Sequence, residues 1–478
     1  MLYETLIRDV VLFDGSGAEP VRGDLAIADG RIARIGALPD AHAETVIEGR
    51  GRALSPGFID AHTHDDTNVI RGPDMLPKLS QGVTTVITGN CGISAAPVTL
   101  AGDPPDPMNL LGEASAFRYP RFADYAEAVN AARPAVNVAS LVGHTALRSN
   151  HMDRLNRAAT PDEIAAMREQ LVEALDNGAL GLSTGLAYLN AISAPTDEVS
   201  ALAEPLAAYG GLYTTHLRSE TDKILVALAE AFTIGRHARS PVIVSHLKCA
   251  GVSNWGRSGA VLEAVEDAAA HHPVGCDCYP YTASSSTIDV RQCSGDFPVM
   301  ITWSEPHPDM AGRMLAEIAE EWRTTPPEAA RRMQPGGAIY HCMTDADVDR
   351  ILAHPRTMIG SDGLPNDPLP HPRLWGTFPR VLGHYSRDRA LFPLAEAVRK
   401  MTTLPAERFR LRERGALREG HWADLVLFDP PRVRDVATFT KPDVAAEGID
   451  AVWVNGALAY QNGEATNERP GRFLPRAA

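Results

Sequence analysis

The sequence predicts an α/β protein: a (β/α)8 TIM-like barrel, a small β-sandwich domain formed from both chain termini, and a small insertion after barrel strand 7. Three observations carry this prediction. Through the middle of the chain, short apolar runs alternate with helix-like stretches, as in βαβ units with a parallel sheet. Eight such runs end in polar residues, and the carboxyl ends of the strands are where a barrel of this kind keeps its chemistry. The two ends of the chain read instead as short strands separated by turn signals.

Residues 5–13 alternate and run into Asp14-Gly15, and residues 25–28 and 31–35 flank Asp29-Gly30. Near the other end, 423–428 and 451–454 read as strands, and Asn455-Gly456 turns into 458–460. Chain termini commonly lie close together, so these segments are expected to pair. The barrel strands are expected at 53–61, 83–88, 136–142, 180–184, 212–215, 242–245, 274–278 and 357–361. Helices are expected between them, including 161–177 and 221–236, the first with Thr160 as N-cap and Pro161 in the first turn. The long gap at 280–356 predicts an insertion that caps the site. The boundaries that follow are 1–55 for the amino-terminal part of the sandwich, 56–410 for the barrel with its insertion at about 282–350, and 411–478 for the carboxy-terminal part.

Bulk composition narrows the function. The 478 residues are 44% hydrophobic and 22% charged, an ordinary globular balance. A net charge of −15, from 45 Lys and Arg against 60 Asp and Glu, argues against nucleic acid or an anionic membrane as partner. Local arginines can still bind a small anion. Six scattered cysteines without C-x-x-C spacing predict reduced thiols and a cytoplasmic location. The start of the chain does not read as a signal peptide, and no run of 18 apolar residues predicts a membrane span. A monomer is expected.

The chemistry-bearing residues lie at the strand ends. His62 and His64 are two apart, so on extended backbone both imidazoles point to one face and can reach one metal. His216 and His246 end consecutive strands. Alone, each is an ordinary hydrogen-bonded histidine; together with an H-x-H pair they read as ligands. Cys91 lies between glycines in Thr88-Gly89-Asn90-Cys91-Gly92, which lets a thiolate approach a shared site, although free cysteine is usually a small buried hydrophobe. A thiolate with two imidazoles suits zinc and leaves a position for water or substrate. Asp362, in Gly360-Ser361-Asp362-Gly363, is the natural general base, and its bland alternative is a turn cap.

Cations could hold carboxylates. Lys248 lies two residues past His246, Arg373 follows His371-Pro372, and Arg291 sits in the insertion. Tyr279, Tyr281 and the serines at 284–286 could add hydroxyl donors.

Residues 56–64 resemble the first-strand motif of the amidohydrolase superfamily, without a candidate for its usual carbamylated lysine. Gly89-Asn90-Cys91-Gly92, Thr215-His216-Leu217-Arg218, Ser245-His246-Leu247-Lys248 and Gly360-Ser361-Asp362-Gly363 together resemble the N-acyl-D-amino-acid deacylase (D-aminoacylase) family, from about residue 5 to residue 460. The resemblance implies a tight zinc on Cys91, His216 and His246, and a second, weaker or empty metal position on His62 and His64 with Asp362. It implies Asp362 as acid and base, and Lys248, Tyr279 and Arg373, helped by Ser285, as binders of the substrate α-carboxylate. The D-configuration rests on the resemblance alone.

The implied reaction is zinc-dependent hydrolysis of the amide bond of an N-acyl-D-amino acid, giving a free D-amino acid and a carboxylate. If the insertion covers the barrel mouth, Arg291 could pair with a side-chain carboxylate, which favours N-acyl-D-glutamate, the N-acyl-D-glutamate deacylase type, with D-aspartate left open. A surface arginine and a hydrophobic substrate are the alternative. A dihydropyrimidinase- or hydantoinase-like hydrolase of cyclic amides, and a barrel whose metal is structural, are the wider rivals.

Overall fold

The computed structural model describes residues 2–477. Strands from both termini share one nine-stranded sheet. Its central join is Ala53–Pro56, which runs parallel to Leu2–Leu12 and antiparallel to Leu425–Phe428. Beyond it lie Ile449–Val454 and Ala457–Gln461, linked by a turn in which Asn455 and Gly456 both have positive φ (50° and 86°). A two-residue hairpin of this handedness matches the strand twist, which explains the Asn-Gly pair. Apolar residues of both terminal segments, including Ile7, Leu25, Leu54, Leu425 and Trp453, share one buried cluster.

Sequence reading places 53–61 in a single strand; the structure divides it at Gly57. Ala53–Pro56 stays in the terminal sheet, and Phe58–Asp60 begins a parallel series. The two halves carry equally apolar residues, so hydrophobicity alone does not mark the change of partner.

The parallel series comprises Phe58–Asp60, Val83–Thr88, Asn137–Ser140 continued by Val142–Gly143, Gly181–Gly185, Leu212–His216, Val242–Val244, Val274–Cys278 and Thr357–Ile359. Each pairs with its sequence neighbour in parallel register, with Leu141 alone dividing the third strand. The last strand meets the first. Ala61 N–H donates to Ile359 O (3.2 Å), Asp362 N–H donates to His62 O (2.7 Å), and Thr63 bridges Gly363 in parallel.

Alternation along these strands divides the core in two. Ile59, Ile87, Ala139, Leu180, Leu212, Ile243 and Met358 form one cluster, capped by Leu404, Ala406, Phe409 and Leu411. Their neighbours Val86, Val138, Tyr213, Val242 and Val244 belong to the larger cluster shared with the helices. This is the period of two that a strand buried on both faces imposes. The helix Pro161–Asp176 carries a full capping box: Thr160 accepts from Glu163 N–H, and the Glu163 side chain accepts from Thr160 N–H.

After Val274–Cys278 the chain builds a three-stranded antiparallel sheet, in the order Ser284–Thr287, Gly336–Tyr340, Val299–Ser304, with short helices Leu315–Glu321 and Pro326–Arg332. The helix Asp345–Ala353 then packs against Thr357–Ile359 and the helix Ser258–Ala269. No helix among the described residues is long and apolar enough to cross a membrane.

Candidate metal centre

Side chains far apart in sequence converge at the carboxyl ends of the parallel strands. Cys91 Sγ lies 3.3 Å from His62 Nε2 and 3.2 Å from His246 Nε2. Asp362 Oδ1 lies 3.2 Å from His64 Nε2 and 3.5 Å from His62 Nε2. His62, Cys91, His246 and Asp362 each offer a ligand atom within 4.8 Å of the others, and His216, Glu220 and His246 form a second such group. The His216 and His246 rings are 4.6 Å apart, edge to face.

Local backbone makes this convergence possible at a cost. Cys91, His246 and Asp362 all adopt positive φ (54°, 35° and 49°), a conformation uncommon for non-glycine residues. Gly92 lets the Cys91 loop press against the fourth parallel strand, since a Cβ there would lie 2.7 Å from Gly185 N.

The electrostatics are those of a donor cluster. Burial would raise the Cys91 thiol, but His62 and His246 hold it well below its usual range. Burial would lower both His62 and His64, yet Cys91 and Asp277 lift His62 well above 6.5, and Asp362 and Cys91 lift His64 to about 9. Burial and Lys248 depress His246, and Cys91 and Glu220 raise it to about 9. Asp362, opposed by burial, is held low mainly by Arg373 and His246.

A buried thiolate among imidazoles fits a divalent cation well. Two ligands on one zinc at tetrahedral angles and ordinary bond lengths sit about 3.6 Å apart, close to the 3.2 Å separation of Cys91 Sγ and His246 Nε2. His64 Nδ1 and His216 Nδ1 make no hydrogen bond among the described residues.

The expected carboxylate binders also meet. Arg373 is 1% exposed; its Nη1 lies 2.9 Å from Asp362 Oδ2, its Nη2 donates to Ser285 O (3.2 Å), and its guanidinium stands 4.6 Å over the Tyr279 ring. Lys248 Nζ lies 5.8 Å from the same ring centroid. Tyr279 Oη and Ser285 Oγ are buried without a hydrogen-bond partner among the described residues. Lys248 is already engaged, by Glu220 Oε1 (2.6 Å) and His246 Nδ1 (2.7 Å). Arg291 stands further out, and its guanidinium bonds Asp289 through Nε and Nη2 and reaches Ala187 O.

A cavity of 480 Å³ is lined by His64, His216, His246, Lys248, Ser285, Arg291 and Asp362 among others, whereas Arg373, Tyr279, Cys91 and His62 lie behind its wall. That volume suits a small molecule. The insertion contributes Ser284 through Gln292 to its wall.

Residues 45–280 and 298–460 match the amidohydrolase family. The chain belongs to that family. A D-aminoacylase from Alcaligenes xylosoxydans xylosoxydans is 50% identical over 476 residues, 100% of this chain and 98% of the relative. An N-acyl-D-aspartate deacylase of the same organism is 47% identical, covering 98% of this chain and 94% of that protein. Its N-acyl-D-glutamate deacylase is 44% identical, covering 98% and 95%. Among solved structures, a D-aminoacylase superposes with a TM-score of 0.98 at 48% identity, covering 99% of this chain and 100% of that one. The N-acyl-D-glutamate deacylase of Bordetella bronchiseptica, solved with zinc and a phosphonate inhibitor that mimics the tetrahedral intermediate, superposes with a TM-score of 0.96 at 44% identity over the whole of both chains. An L-hydantoinase shares the fold at 17% identity and a TM-score of 0.62.

Several polar residues of this amidohydrolase's site escaped sequence reading. Asp277 approaches His62 Nδ1 (3.3 Å) and accepts from His246 N–H (2.9 Å), so it orients two candidate ligands. Its signal was present, because Gly275, Asp277 and Tyr279 share one face of a strand. Glu220, which holds Lys248, sits in a loop four residues past His216 and had no periodicity to mark it. Tyr188 packs 4.8 Å from the His216 ring. Beneath the site, Lys78 Nζ contacts Asp60 (2.8 Å), Asp65 (3.0 Å), Thr63 (2.9 Å) and Ser361 (3.0 Å), all buried, tying the first parallel strand to the last.

Proposed function

We propose that this amidohydrolase cleaves the amide bond of N-acyl-D-amino acids with the help of zinc, releasing a free D-amino acid and a carboxylate, and that it favours an acidic side chain such as D-glutamate. The observation that carries the reading is the buried thiolate–imidazole–carboxylate cluster at the floor of a cavity whose wall bears Lys248 and Arg291. Full-length similarity to proteins named as deacylases of this class supports it.

In this proposal Cys91, His216 and His246 hold the tight ion, and His62 and His64 with Asp362 hold a second, weaker one. When bound, zinc polarises the scissile carbonyl and makes water acidic enough to attack it. Asp362 takes the proton from the attacking water and later delivers it to the departing nitrogen. Arg373 and His246 hold its proton affinity low, which keeps it ionised before the reaction. Arg373, Tyr279 and Lys248, with Ser285 beside them, receive the α-carboxylate and hold the amide over the site. Glu220 keeps Lys248 extended until the substrate arrives. Arg291 receives the side-chain carboxylate through Nη1, which has no hydrogen bond among the described residues.

One observation favours a second reading. Asp289 already neutralises Arg291, and Leu110, Leu189, Ile288, Val290 and Leu364 give the cavity an apolar wall, which would suit a hydrophobic side chain. As scaffold we propose a closed (β/α)8 barrel over 56–410, with 1–55 and 411–478 forming a terminal β-sandwich; the hydrogen bonds from Ala61 to Ile359 and the pairing of Ala53–Pro56 with Leu425–Phe428 support it. We further propose a cytoplasmic monomer, consistent with six unpaired, buried cysteines.

A panel of N-acetyl-D- and L-glutamate, aspartate and leucine, with a hydantoin and a dihydropyrimidine, tests the reading. Turnover of D-isomers, highest with glutamate, is expected. A leucine preference removes the acidic assignment, and turnover of the cyclic amides alone overturns the function.

A further inference from the structure

Arg373 needs an anchor for its backbone as well as for its guanidinium. Its Nη2 donates to Ser285 O and its Nη1 pairs with the Asp362 carboxylate, but Nε and Nη1 make no hydrogen bond among the described residues. These buried donors can serve a substrate carboxylate only while the side chain projects from a fixed point. That point is the first residue of the helix Arg373–Arg380. The N–H groups of a first helical turn have no partner within the helix, and a Ser, Thr, Asp or Asn just before it usually supplies one. Here the preceding residue is Pro372, whose side chain makes no capping bond because it carries no acceptor.

The acceptor comes from one residue further back. His371 Nδ1 accepts from Arg373 N–H at 3.0 Å. An accepting Nδ1 carries a lone pair, so the imidazole is neutral with its proton on Nε2. Burial and the charge of Arg373 hold His371 well below its ordinary 6.5, which agrees with that neutral form. The ring is 2% exposed and meets two aromatic rings edge to face, Tyr281 at 5.1 Å and Phe439 at 5.0 Å. Tyr281 follows the strand Val274–Cys278, and Phe439 belongs to the carboxy-terminal segment, so two distant parts of the chain clamp one imidazole. Pro370 and Pro372 on either side restrict the backbone between them.

We propose that His371 is a positioning residue for substrate binding: its Nδ1 fixes the start of the helix Arg373–Arg380 and so aims the Arg373 guanidinium at the substrate α-carboxylate. This rests on the reading of Arg373 as a carboxylate binder. His371 itself lies outside the walls of the 480 Å³ cavity and acts only through Arg373. Its contribution is therefore common to every N-acyl amino acid, whatever the side chain.

The test uses full-length, zinc-loaded enzyme with N-acetyl-D-glutamate and N-acetyl-D-leucine. His371→Phe keeps a flat ring against Tyr281 and Phe439 and removes the acceptor. His371→Asn gives up the ring but keeps an oxygen that reaches the N–H two residues on. In His371→Phe, KM should rise by about tenfold, by the same factor for both substrates, with kcat within about threefold of wild type. In His371→Asn, KM should stay within about threefold of wild type even where Tm falls. Should His371→Phe fold poorly, His371→Leu takes its place, since it too lacks an acceptor. Equal rises in KM for the acceptor-less variant and His371→Asn, or a rise in His371→Asn alone, would reduce His371 to a packing group and overturn the proposal, as would an unchanged KM in His371→Phe. Arg373→Ala separates the two claims. If it raises KM while His371→Phe does not, the positioning role alone fails; if it leaves KM unchanged, the carboxylate reading fails and the positioning role falls with it.

Discussion

Replacing Asp362 by asparagine separates the proposed proton shuttle from the scaffold that holds it. Asparagine tolerates the left-handed backbone that Asp362 adopts at φ 49°, so the turn should survive. Arg373 Nη1 forms an ion pair with the carboxylate at 2.9 Å without a hydrogen bond, and Arg373 keeps its contacts with Ser285 O and the Tyr279 ring. The stability loss should therefore stay near 1–3 kcal/mol, the cost of leaving one buried polar group without its partner. Chemistry suffers far more. The same carboxylate serves as base for water and as acid for the leaving nitrogen, and one such group contributes roughly 10²–10⁴ in rate. A kcat at least about 10³ below wild type, or about 4 kcal/mol of barrier, is expected, with KM changed less than about threefold. Released D-amino acid measures turnover, and atomic emission measures zinc per chain. Turnover within about tenfold of wild type in a zinc-replete variant would refute the assigned role.

Four further outcomes follow from the geometry. Cys91→Ala removes the donor nearest both His62 and His246, so zinc affinity should fall beyond the roughly 10–100-fold typical of outer-sphere changes, read by competition with a chromogenic chelator. Arg291→Ala should lower kcat/KM for N-acetyl-D-glutamate by about 10–100-fold, the loss of one charge-assisted hydrogen bond, and leave N-acetyl-D-leucine unchanged; equal effects on both would assign Arg291 a structural role. Glu198, opposed by burial, is drawn down to about 2 by the imidazole of His144, Ala159 N–H and the buried Arg148. Its folded value is depressed, so its stabilisation is complete above the ordinary 4.5 and disappears as pH falls through about 2; Glu198→Gln should flatten the acid limb of stability over that window in urea titrations. Lys78→Met leaves Asp60 and Asp65 as buried, unpaired carboxylates, and unfolding free energy should drop by about 3–5 kcal/mol.

Much of the site was legible in the linear chain because strand geometry is local. His62 and His64 share a face by alternation, and His216 and His246 mark strand ends by the polar break in an apolar run. The Asn-Gly and Asp-Gly turns and the Thr160 capping box are likewise local, each satisfied within a few residues. What the chain alone could not disclose is partnership. The switch of sheets at Gly57 depends on whether a strand meets Leu425–Phe428 or Val83–Thr88, segments that lie from about 30 to more than 360 residues away. Glu220 on Lys248, Asp277 on His62, and Asp289 on Arg291 are pairings of charge set by three-dimensional proximity, and they decide which cations remain open to a ligand. Sequence determines what each segment can bury and expose; Coulomb interactions and closure of the core, both acting across long loops, determine which of those groups face one another.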